Sequence, residues 1–142
     1  MCRCRLGIEP VYVGVGDKEG IDVPQGQEEP AYRLVPEGMP SYDTRPLFGT
    51  GEYDEDLREA KRLVNKVRDA GLAIPAIDLL YNTNESHAKV AAFIQSTWRD
   101  ELGLDVELTN QEWGVYLDSK RTGQFDVARA GWVADYPDPN TF

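Results

Sequence analysis

Histidine is almost missing from this sequence: His87 is the only one in 142 residues. Cysteine is nearly as scarce. Cys2 and Cys4 form a lone C-x-C near the amino terminus. No second pair completes a zinc site, and a disulfide across one intervening residue would be strained. There is no H-E-x-x-H and no G-x-S-x-G, so the common zinc-hydrolase and serine-hydrolase signatures are excluded. The stretch DYPDPN, 135–140, resembles a calcium loop, but its two prolines and the missing turn glycine break the EF-hand pattern. The residues therefore call for neither a metal nor a cofactor. No apolar run is long enough to cross a bilayer, so direct membrane insertion is not expected. The opening MCRCRLGIEPVYVGVGDKEG has arginines but no apolar segment behind them, hence no visible signal peptide. Basic charge is also short: 15 Lys and Arg face 25 Asp and Glu, a net charge of −10. A phosphate-binding stripe is absent, which argues against nucleic acid and against an anionic membrane surface. The balance fits a cationic or zwitterionic ligand, and solubility alone explains it as well.

The chain does have the composition of a soluble globular domain, with 41% hydrophobic and 28% charged residues. Residues 1 to about 52 read as irregular, because Pro24, Gly26, Pro30, Pro36, Gly38, Pro40, Pro46 and Gly49 interrupt any long element. VYVGV, 11–15, is the one short strand candidate there. Periodicity begins near 54. Leu57, Ala60, Leu63, Val64, Val67 and Ala70 fall at spacings of three and four and predict a helix over 54–70. Asp54, Glu55 and Asp56 favour its positive end, and Gly71 its carboxyl cap. IDLLY, 77–81, is a continuous apolar run expected to form a buried strand. A second helix is predicted over 85–102, with Val90, Phe93, Ile94, Thr97, Trp98 and Leu102 on one face, capped by Asn84 and Gly103. Leu104, Val106 and Leu108 alternate with polar residues, as in a half-buried strand. A short helix over 113–121 and a strand over 125–132 complete an α-β-α-β-α-β order. That alternation implies an α/β layer with parallel pairing, in which ligands sit beyond the carboxyl ends of the strands.

Chemistry can be sought there in two ways. Asp118, Asp126, Asp135 and Asp138 could supply an acid/base pair for hydrolysis, but nothing in their spacing selects one. The alternative is binding by RAGWVADY, Arg129–Tyr136. A glycine at a strand end lets a ligand approach the backbone, a tryptophan makes a rigid wall, and a carboxylate could hold an ammonium group. Two unit charges about 4 Å apart attract by roughly 4 kcal/mol at an effective dielectric of about 20. The same pattern also suits a buried tryptophan and a capping aspartate before a proline turn, and spacing alone leaves both open.

NQEW, FDVARAGW and ADY, together within Asn110–Phe142, resemble the oligopeptide-binding proteins of ABC importers. LLYNTNESHAKVAAFIQSTWRDELGLDVEL, Leu79–Leu108, and PAYRLVPEGMPSY, Pro30–Tyr42, are similar to the same family. The resemblance covers 29–142 and leaves 1–28 as an irregular segment without it. It implies part of one lobe of a bilobed, type II periplasmic-binding-protein-like α/β fold, and a receptor rather than an enzyme. Such a receptor is periplasmic or cell-surface, holds an extended oligopeptide, and delivers it to a membrane permease. A solute-binding lobe reused as a sensor domain is the further alternative, beside an acidic-residue hydrolase. By position, the resemblance gives Asp135 the peptide's α-ammonium. It gives Gly131, Trp132, Val133 and Ala134 the backbone pairing, and Trp113 a pocket wall. Arg129 and His87 fall near the peptide's far end. Lys120 stands where close relatives carry arginine, so a planar two-point contact is lost there. Val133 replaces a cysteine found in some members, which matters little if only its backbone is used. With one wall of the site present, the chain by itself is expected to bind peptide weakly or not at all.

Overall fold

A continuous apolar run can be buried on both faces only if something covers each of them, and β1, Ile77–Asn82, is covered in this way. Its consecutive residues Leu79 and Leu80 point to opposite faces, and both are fully buried. The computed structural model describes Tyr32, Val35, Arg45, residues 49–131, Asp135, Tyr136 and Asp138. The expected strand at 11–15, both cysteines and most of 30–42 lie outside the described residues.

The described elements run α1 (Tyr53–Asp69), β1, α2 (Glu85–Thr97), a π turn (Trp98–Leu102), β2 (Val106–Gln111), α3 (Trp113–Thr122) and β3 (Val127–Ala128). The sheet order is β2-β1-β3. Both pairings are parallel, with Ile77 opposite Val106 and Leu79 opposite Val127. The chain leaves β1 to one side through α2 and returns across it through α3. Right-handed crossovers therefore put α2 and α3 on opposite faces. On the α2 face, Leu79, Ala91, Trp98 and Val106 form the core, with Ile94, Leu102, Leu104, Leu108 and Val127 packed around them. On the other face, Leu80 is covered and the α3 residues Tyr116 and Ser119 are buried.

Local signals set most element ends. Asn84 accepts from the backbone N–H groups of Ser86 and His87, at 2.9 and 3.3 Å, and so caps α2. Gly71 takes a left-handed conformation. Its N–H donates to the Arg68 carbonyl and that of Leu72 to the Val67 carbonyl, which closes α1 in a Schellman motif. The apolar stripe of α1 is less covered than its period suggests. Leu57, Ala60, Val64 and Val67 are half-buried, Ala70 is exposed, and Leu63 is 44% exposed. Polar contacts tether this helix to the π turn instead: Lys61 meets Glu101 at 2.6 Å, and Arg68 Nη2 donates to the Leu102 and Gly103 carbonyls at 3.0 and 2.8 Å.

Three boundaries depart from the sequence pattern. The second helix does not stay α-helical to 102 but widens into a π turn from Trp98. The second strand starts at Val106, because the Leu104 N–H turns back to the Trp98 carbonyl. The third strand is two residues long rather than eight. At its start the Asp126 carboxylate accepts the Asp78 N–H at 3.0 Å, where a longer strand would use its backbone. At its end the Arg129 N–H still donates to the Leu80 carbonyl at 2.8 Å. Among the described residues, β2 and β3 pair only with β1, so each keeps one unpaired edge, an aggregation hazard.

Leu79→Ala should destabilise the chain by about 2–5 kcal/mol through lost burial and a residual cavity. Leu63→Ala, on the exposed side of α1, should cost less than about 1 kcal/mol. Urea unfolding of the two variants followed by circular dichroism checks the contrast; equal losses would mean that α1 belongs to the core after all.

Candidate functional site

The carboxyl ends of the parallel strands lie together, at Asn82, Gln111 and Ala128. The chain runs outward from β1 in both directions, so β1 and β3 flank a topological switch point. His87 reaches this region from the first turn of α2. Its Nδ1 lies 2.9 Å from Asn82 Oδ1. With the carboxamide oxygen accepting, Nδ1 carries the proton and Nε2 keeps its lone pair. Arg129 directly follows β3. Side chains alternate along a strand, so Arg129 shares a face with Val127, which packs on the α2 side. The guanidinium and the imidazole thus occupy the same face. Burial, and after it the positive charge of Arg129, holds the His87 pKa below its ordinary 6.5, while hydrogen bonding with Asn82 opposes the shift. The ring is therefore neutral at neutral pH.

α3 contributes from the opposite face. Trp113 opens this helix and is 56% exposed. Its ring stacks on Tyr116 with centroids 5.6 Å apart and planes 25° apart. Lys120 Nζ lies 5.4 Å from the centroid of the same Tyr116 ring. The Tyr116 hydroxyl donates to the Arg129 carbonyl at 2.7 Å. Three of the residues singled out in the sequence, Trp113, Lys120 and Arg129, therefore meet on a tyrosine that was not. Asn82, which orients His87, was also missed. The spacing of Trp113, Tyr116 and Lys120 by three and four is a helical signal, but it does not say which strand end the helix faces.

Gly131 is exposed and has no left-handed backbone. A Cβ built there would meet Arg129 Nη1 at 3.7 Å, an ordinary contact. The described residues thus have room for a side chain at this position. Trp132, Val133 and Ala134 lie outside the described residues. Asp135 stands exposed on a bend. At the end of β2, Gln111 Oε1 is buried with no hydrogen-bond partner among the described residues. A shallow depression of about 490 Å³ lies along α3, lined by Glu112, Val115, Asp118 and Thr122 among others. None of the six singled-out residues that are described lines it. Two of the four carboxylates considered for acid/base work are engaged elsewhere. Asp118 pairs with Arg121 at 2.9 Å on the surface of α3, and Asp126 accepts the Asp78 N–H near the start of β1.

An open parallel sheet with cationic, imidazole and aromatic groups gathered beyond its strand ends is the architecture of a binding lobe. The chain belongs to the bacterial extracellular solute-binding proteins, family 5, whose middle region matches residues 21–142. These are solute-binding proteins, not enzymes. The chain is 40% identical to the periplasmic murein peptide-binding protein MppA of Escherichia coli (strain K12) over 116 residues, covering 81% of this chain and 22% of that protein. It is 37% identical to the oligopeptide-binding protein OppA of Bacillus subtilis (strain 168) over 134 residues, covering 89% of this chain and 24% of that protein. Among solved structures, the Escherichia coli murein tripeptide binding protein MppA aligns with a TM-score of 0.68 at 40% identity, over 82% of this chain and 23% of its own. Haemophilus influenzae OppA in complex with the peptide RPPGFSPFR aligns at 0.65 and 34% identity, over 84% and 24%. The fold is part of one lobe of a type II periplasmic binding protein, and the chain spans less than a quarter of the length of these relatives.

The lowered His87 pKa has a consequence for stability. Between the folded value and 6.5, the unfolded chain holds more protons than the folded one. Stability is therefore unaffected above that window and is lost as pH falls through it. His87→Gln should flatten the pH dependence of the unfolding free energy as pH falls below 6.5. Urea melts at closely spaced pH values measure this, and an unchanged slope would show that His87 does not carry the effect.

Proposed function

We propose that this chain is part of the peptide-holding lobe of an extracytoplasmic receptor that captures extended oligopeptides for the permease of an ABC importer. The observation that carries the proposal is the Tyr116 hydroxyl holding the Arg129 carbonyl at 2.7 Å while its ring stacks on Trp113, just beyond the end of β3. This cluster lies beyond the strand ends, in a family whose relatives are named for binding peptides. Arg129 and His87 offer a cation and a neutral imidazole to the carboxylate end of a peptide. Asp135 takes its α-ammonium. Gly131, Trp132, Val133 and Ala134 pair with its backbone, as in strand addition. Trp113 walls a side-chain pocket and Lys120 adds positive charge near it. The receptor does no covalent chemistry on the peptide.

One wall of such a site leaves the ion pairs in contact with water, where they are weak. Tri- to pentapeptides at millimolar concentration should accordingly leave the melting temperature of this chain unchanged. A rise of several degrees would mean that it forms a competent site unaided. The positive test restores the opposite wall. Residues 53–142 replace the matching segment of the Escherichia coli relative, and peptide binding is measured by calorimetry. The chimera should bind peptide and return it uncleaved; cleavage products would overturn the receptor reading. Asp135→Ala in the chimera should weaken binding by about 30-fold or more, the cost of leaving a buried ammonium without its partner. Gly131→Ala should leave the fold intact, since a Cβ has room there, and still weaken binding by blocking close backbone approach. Unchanged affinity in both variants would remove these residues from the site.

A further inference from the structure

Tyr116 touches three of the groups assigned above to the ligand, each by a different interaction. It is 2% exposed, so its hydroxyl needs a partner inside the protein, and that partner is the Arg129 carbonyl at 2.7 Å. The Arg129 N–H is already held by the Leu80 carbonyl. Both peptide groups flanking Arg129 are thereby fixed, one by the central strand and one by α3. The same phenol ring carries Trp113 stacked on it and the Lys120 ammonium near it. Its spacings, three residues after Trp113 and four before Lys120, put all three on one ridge of α3.

We infer that Tyr116 is a positioning residue which locks Trp113, Lys120 and the root of Arg129 into a single rigid unit at the switch point. The inference rests on the peptide-binding reading for its ligand, but its structural part stands apart from it. The hydroxyl and the ring have separable duties. The hydroxyl sets where the chain leaves β3 toward Gly131, and hence where the guanidinium sits relative to His87 on the far side of the sheet. The ring sets the distance between the aromatic wall and the cationic end. A ligand that uses both must match a spacing that this side chain defines. Groups held in place before the ligand arrives need not be ordered at its expense, which is how preorganisation raises affinity.

Tyr116→Phe removes the hydroxyl and keeps the ring; Tyr116→Leu removes both. Each is made in this chain, with the fold verified by circular dichroism and by amide protection at Leu79 and Val106. In Tyr116→Phe, the Arg129 amide should exchange about tenfold faster. The His87 titration midpoint, read by NMR, should rise toward its ordinary value as Arg129 is released. The Trp113 indole and Lys120 side-chain resonances should stay in place. In Tyr116→Leu those resonances should move as well. A general loss of stability would speed exchange at every amide alike and would not move the histidine midpoint. Unchanged Arg129 exchange and an unchanged His87 midpoint in Tyr116→Phe overturn the role of the hydroxyl; if Tyr116→Leu does not fold, the Phe variant still decides this. Unmoved Trp113 and Lys120 resonances in a folded Tyr116→Leu chain overturn the role of the ring. In the chimera, Tyr116→Phe should weaken peptide binding about tenfold. Full affinity there, with Arg129 released, overturns the link to the ligand. A chimera that binds no peptide in any form removes the receptor reading instead, and the exchange and titration results still judge the positioning role.

Discussion

The structure depends on one constraint: β1 must be paired on both edges and covered on both faces. Its Leu79–Leu80 pair is fully buried in both directions, and its two edges hold β2 and β3 in parallel register. A strand of this kind forces its neighbours to arrive by crossovers, one on each face. α2 therefore covers one side and α3 the other. The carboxyl end of β1 becomes the point where the amino end of α2, the exit from β3 and the tyrosine of α3 converge. His87, Arg129 and Tyr116 are brought together by a strand that carries none of them. The polar groups follow the apolar ones.

Elements with local signals were legible in the sequence. The period of α1, the Asn84 cap of α2, the apolar run of β1 and the glycines that close the helices all depend on residues within one turn of each other. What the sequence hid depends on contacts between distant segments. The π turn at Trp98 offers its last carbonyls to Arg68, 34 and 35 residues away, and no window around Trp98 contains that arginine. β3 is short because a carboxylate, not a peptide group, meets Asp78. The exposed flank of α1 looks like a core face in projection, since a period fixes which residues share a side but not how deeply that side is covered.

The candidate site divides in the same way. Family resemblance brought out Trp113, Lys120, Arg129 and His87, and the structure joins the first three to one another and the last two electrostatically. It could not bring out Tyr116 or Asn82, whose importance arises only when α3 and α2 are set against particular strand ends. The glycine at 131 carries the opposite lesson. Among the described residues, what a Cβ there would meet is the Arg129 guanidinium at ordinary contact distance, so the sequence signal of a glycine is not matched by a tight approach of described atoms.

The strand order also fixes a sequence of events in time. Joining β1 to β2 closes a loop of 27 residues, measured at the Thr83–Asn110 hydrogen bond. Joining β1 to β3 closes one of 48, measured at Asp78–Asp126. The longer closure costs only about 0.5 kcal/mol more in chain entropy, but on a chain made from its amino end it cannot begin until β3 has emerged. The first β-α-β unit can form while the other edge of β1 stands open. Among the described strands, the pairing of β3 beside His87 and Arg129 is then made after that of β2. An open central strand is also the form most prone to pair with a neighbouring chain, so the edge of β1 that β3 closes is exposed longer than the edge that β2 closes.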